Sequence, residues 1–147
     1  MLVRQVDQKL TVGRVLRQTP YLAFVIAIYL IVAVIDSAAT ASILMNPTLP
    51  SGGVWVFTLG DLFVLAGLFA LFGEILKATR TSRVSVADHA MSLLAFIVCL
   101  IAFLLWPAAS TSVFFLLLIM TLVDVLAGFT VSLSGARRDI DMGSSTM

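Results

Sequence analysis

Four apolar stretches, at residues 20–45, 54–76, 88–106 and 111–133, leave this sequence few folds to choose from. Each reaches the roughly 20 residues that a helix needs to cross about 30 Å of hydrocarbon. Helix is the only spanning form open to them, because lipid offers the backbone no hydrogen-bond partners and four strands cannot close a barrel. Composition agrees. Hydrophobic residues make up 61% of the chain and charged residues 12%, against roughly 45–50% and 25% in soluble domains. The expected fold is an all-α, integral membrane, four-helix antiparallel bundle. It occupies residues 20–136 as one domain, between a basic segment at 1–19 and a tail at 137–147.

Breaks in the apolar pattern mark the helix ends. Thr19-Pro20 reads as an N-cap followed by proline in the first turn. Asn46-Pro47 and Pro50-Ser51-Gly52-Gly53 separate the first two spans, and Trp106-Pro107 ends the third. Ser110 is placed to cap the fourth span, and Ser85 with Asp88 resembles a capping box. Ala39-Thr40-Ala41 has the small-x-small pattern of a signal-peptidase site. The length of the segment before it and the charge of Asp36 argue against cleavage there.

The nine Lys and Arg residues orient the bundle. Arg4, Lys9, Arg14 and Arg17 precede the first span, Lys77, Arg80 and Arg83 lie between the second and third, and Arg137 and Arg138 follow the fourth. The turns at 46–53 and 107–110 carry no charge. The positive-inside rule therefore puts both termini in the cytoplasm, as in a multi-pass bacterial inner-membrane protein, and Trp55 and Trp106 fall at the opposite interface. Residues 1–19 suit either a short interfacial helix or a basic tail that sets topology. The polar end at 142–147 is expected to be disordered.

Other classes are excluded. A single cysteine, Cys99, and a single histidine, His89, rule out an intrachain disulfide, a four-ligand zinc site and a bis-histidine haem. A net charge of +1 gives no support to nucleic-acid binding. No phosphate loop, nucleophile elbow or metalloprotease motif occurs, so neither an enzyme nor a cofactor or metal is expected.

The acids are the informative minority. Asp36, Asp61 and Asp124 fall inside the apolar stretches. Each costs about 2.5–3.5 kcal/mol at a helix centre on the insertion scale. Counted along continuous helices from the outer ends, they lie ~15, ~10 and ~20 Å deep, so they are expected to meet at one level. Ser37, Thr40, Thr58 and Thr121 supply neutral oxygens near them. In the first span Ala33, Asp36, Ser37 and Thr40 share a helical face, and in the second Gly60, Gly67, Ala70 and Glu74 form a small-residue track. Glu74 and His89 are secondary candidates, Glu74 because it lies near the cytoplasmic end and three residues before Lys77. Thr58-Leu59-Gly60-Asp61 and Thr121-Leu122-Val123-Asp124 both read T-L-x-D, which suggests two hairpins related by a pseudo-twofold axis.

Carboxylate and hydroxyl oxygens suit protons or hard cations. The function expected is proton or cation handling through intramembrane carboxylates, in a homo-oligomer. The alternative is a non-catalytic accessory or assembly subunit of a larger membrane complex. In either case the lipid bilayer is a partner.

Overall fold

A computed structural model describes residues 20–80 and 86–144, with side chains over 20–78 and 90–130. Four helices make up most of it: α1 (Tyr21–Ile35), α2 (Leu59–Arg80), α3 (Val86–Leu105) and α4 (Ser112–Ser144). Between α1 and α2 the chain forms a small antiparallel ribbon of β1 (Ile43–Met45) and β2 (Phe57–Thr58). Single 3₁₀ turns occupy Ala39–Ala41 and Pro107–Ala109. Leu59–Ala78 and Ser112–Thr130 are long and apolar enough to cross a membrane, whereas Tyr21–Ile35 and Ala90–Leu105 are shorter apolar helices.

The first apolar stretch is not one helix to residue 45. α1 ends at Ile35, and Asp36 is extended at φ −148° and ψ 105°. The cause is local. The Asp36 carboxylate accepts the Ala38 amide hydrogen at 2.9 Å, and Ser42 donates its hydroxyl to the Ala39 carbonyl at 2.6 Å. Short polar side chains offer the backbone these alternatives to the helical ladder, and hydropathy alone does not register them. Ile43, Leu44 and Met45 consequently belong to the ribbon. Its turn places Pro50 one residue after Leu49, whose carbonyl accepts the Gly52 amide at 2.9 Å. Gly52 has φ +82°, which a glycine adopts without strain.

At its other end the chain is more helical than expected. α4 runs past residue 133 to Ser144. Beyond Leu133 it meets no proline that would break it. The caps expected at Thr19 and Ser85 and the basic segment 1–19 lie outside the described residues, as does the end of the tail at 145–147.

α4 is the hub, packing against α2, α3 and, less extensively, α1. α2 and α4 run parallel, with the small-residue track of α2 between them. A Cβ added at Gly60 would come within 2.8 Å of Val113, and one at Gly67 within 2.6 Å of Leu117 and 3.0 Å of Met120. Tyr29, Phe114, Leu22 and Leu117 are the largest side chains in the core. The Tyr29 ring meets Phe63 edge-on at 5.4 Å and lies 5.6 Å from Phe114. Its hydroxyl hydrogen-bonds Thr111 Oγ1 at 2.5 Å, and that oxygen also accepts the Phe114 amide at 3.1 Å. Thr111, rather than Ser110, is therefore the N-cap of α4.

A buried acid pair as the candidate functional site

The start of α1 leaves donors unmet. Its N-cap is Pro20, which has no side-chain acceptor, and Leu22 is 1% exposed, so its amide cannot turn to water. A buried N–H in that position needs a partner. Glu74, from the second-last turn of α2, supplies one: its Oε1 accepts the Leu22 amide hydrogen at 2.8 Å. A carboxylate is well suited to that place, because the first turn of a helix carries the positive end of its dipole.

Glu74 itself is only 7% exposed. Its second oxygen, Oε2, is buried and has no hydrogen-bond partner among the described residues. Asp124 of α4, half-buried, brings its carboxyl within interaction range of Glu74. Lys77, close to one helical turn further along α2, also acts on Glu74, and its Nζ lies 5.8 Å from the centroid of the Tyr21 ring. α1, α2 and α4 thus meet around two carboxyls and one ammonium.

The other acids do not join this pair. Asp36 is an exposed residue that closes its own turn. Asp61 is also exposed, in the first turn of α2. It forms a capping box with Thr58: its Oδ2 accepts the Thr58 amide and hydroxyl hydrogens, both at 2.8 Å, and Thr58 Oγ1 accepts the Asp61 amide at 3.2 Å. At about 1.5 Å per residue, Asp61 lies about 20 Å from Glu74 along α2. The expected convergence of Asp36, Asp61 and Asp124 at one level therefore does not occur. It assumed that the apolar stretches were uninterrupted helices, and two of the three acids stand at helix ends.

The hydroxyl residues divide in the same way. Ser37 is exposed and accepts a long bond from the Thr40 hydroxyl at 3.5 Å. Thr121 is buried, but donates to the Leu118 carbonyl of its own helix at 2.7 Å. The two T-L-x-D segments serve different ends, one as a capping box and the other in the middle of α4, so Asp61 and Asp124 are not equivalent positions. His89 falls in the first turn of α3, and its side chain lies outside the described residues. Among the described residues, no three His, Cys, Asp or Glu side chains gather as a metal site. Cys99 is a free thiol buried in the core cluster.

No protein-family model, curated protein or solved structure matches the chain. A functional reading therefore rests on the geometry. Sequence reasoning ranked Glu74 below the three aspartates because three-residue spacing to Lys77 fits a side chain reaching for the interface. The signal that would have raised it is its place on the Gly60-Gly67-Ala70 track, which points it at α4.

Proposed function

We propose that the chain is a small membrane protein that spans the bilayer as a helical bundle and handles protons at the Glu74–Asp124 pair. Its polarity supports the membrane reading. Ile28, Ile31, Phe69, Phe72, Leu104 and Leu105 are exposed, while Glu74 and Thr121 are buried. Water-soluble domains distribute their side chains the other way round, and so many exposed large apolar side chains call for an apolar medium.

The observation that carries the proton reading is the orphaned Oε2 of Glu74 beside the Asp124 carboxyl. Two carboxylates close together away from water repel each other, and sharing one proton relieves the repulsion. A proton on either acid would also furnish the hydrogen bond that Oε2 lacks. A hard cation suits the place less well. It prefers six or more oxygens, only two carboxyls are at hand among the described residues, and the Lys77 ammonium is nearby.

The test is proton flux in proteoliposomes under an imposed pH gradient, followed with an entrapped pH-sensitive dye. The parent protein should dissipate the gradient, and Glu74→Gln and Asp124→Asn should each abolish that flux. A parent protein that passes no protons in either orientation, under pH and cation gradients alike, overturns the reading.

A further inference from the structure

We propose that the ribbon between α1 and α2 is an interfacial anchor, seated at the boundary between headgroups and acyl chains of the outer leaflet. The inference rests on the membrane reading above and is independent of the proton reading.

Every residue from Ala41 to Val56 is exposed. Ile43 is 60% exposed, Met45 50%, Val54 61% and Trp55 49%. Leu44 and Val56 are comparably bare. Successive residues of a strand point to opposite faces, so both faces of the ribbon are apolar. A protein partner would cover one face and leave the other in water. A fluid apolar medium covers both. No charged residue occurs from Ser37 to Gly60, so nothing in the segment resists partial immersion.

The backbone points to the same depth. The Leu49 amide bonds the Gly53 carbonyl at 2.8 Å, the Trp55 amide bonds the Pro47 carbonyl at 3.0 Å and the Leu59 amide bonds the Ser42 carbonyl at 2.9 Å. Pro47 and Pro50 have no amide hydrogen to satisfy. The ribbon nonetheless keeps open edges, which the hydrocarbon core forbids and the hydrated interface allows. Trp55, packed edge-on against Phe57 with ring centroids 5.5 Å apart, is the side chain that favours that boundary. The ribbon joins the bundle where Thr40 approaches Gly60 and Gly60 approaches Val113. That is also the end where Trp106, at the close of α3, is exposed, and it is the opposite end of α2 from Lys77.

The chain has two tryptophans, so Trp106→Phe leaves Trp55 as the sole indole. This variant is reconstituted into phosphatidylcholine vesicles carrying bromine high or low on the acyl chains. The expected result is that Trp55 loses most of its emission to high-chain bromine, less to low-chain bromine and little to aqueous iodide, unchanged by added salt. Full quenching by iodide with none by lipid overturns the inference, as does shielding from both, which would mean a protein partner covers the ribbon. A control chain lacking both native indoles carries Phe69→Trp on the exposed face of α2. If the control is quenched by low-chain bromine and Trp55 by neither lipid, the anchor alone fails. If the control too escapes lipid, the membrane reading fails with it.

Discussion

Glu74 accepts the amide hydrogen of Leu22, 52 residues earlier in the chain, at 2.8 Å. One carboxyl thereby caps α1 and also lies within interaction range of the Asp124 carboxyl of α4. The two tasks separate by mutation. Glu74→Ala removes the acceptor and strands a buried donor, a loss worth about 1–3 kcal/mol. Glu74→Gln keeps an acceptor oxygen while removing the titrating group. We expect the alanine variant to unfold earlier in a thermal scan in detergent. The glutamine variant should unfold within about 1 kcal/mol of the parent protein and still lose proton flux.

Asp61 provides the contrast. It was an equal candidate by sequence, yet its hydrogen bonds all go to Thr58. Asp61→Ala should lower the thermal midpoint slightly as a lost capping-box partner, and Thr58→Ala should cost about 1 kcal/mol. Neither variant should change proton flux per folded protein, and a loss of flux in Asp61→Ala at unchanged folded yield would return the outer acid to the pathway.

Gly67 tests the contact that sets Glu74 against Asp124. With the Leu117 and Met120 tips so near where a Cβ would sit, a large side chain there must push α2 from α4. Alanine asks only that the flexible tips of Leu117 and Met120 move, and it gains helix propensity, so it should be mild. Gly67→Leu should cost about 1–3 kcal/mol through overpacking. It should also reduce flux in the fraction that folds, because the acid pair lies about two turns beyond it on α2.

Much of this architecture was legible because it follows from chain-long regularities. Helix number and the parallel course of α2 and α4 came from apolar length and alternation. The close α2–α4 packing came from small residues at Gly60 and Gly67. What escaped depended on competition over a few atoms. Asp36 ends α1 with its own side-chain bond, and Thr58 with Asp61 starts α2, so two acids that looked sunk in helices are end residues. The pairing of Glu74 with the Leu22 amide was beyond reach, since it joins positions with no sequence relationship and depends on Pro20 leaving that amide without a local cap.

The Tyr29–Thr111 bond ties α1 to the first turn of α4, and Thr111 also caps that helix through the Phe114 amide. Tyr29→Phe keeps the ring against Phe63 and Phe114 and removes only the hydroxyl, at an expected cost of about 0.5–1.5 kcal/mol. Thr111→Val loses both the partner of Tyr29 and the cap, and should cost more, by the roughly 1 kcal/mol a cap contributes. The two residues share a hydrogen bond, so the double variant should be less destabilised than the sum of the singles. Residues in contact show couplings of about 0.5–3 kcal/mol, and unfolding midpoints of the four proteins in one detergent measure this one. Strict additivity would show that the bond contributes nothing to the fold, leaving Tyr29 to hold α1 in place by ring packing alone.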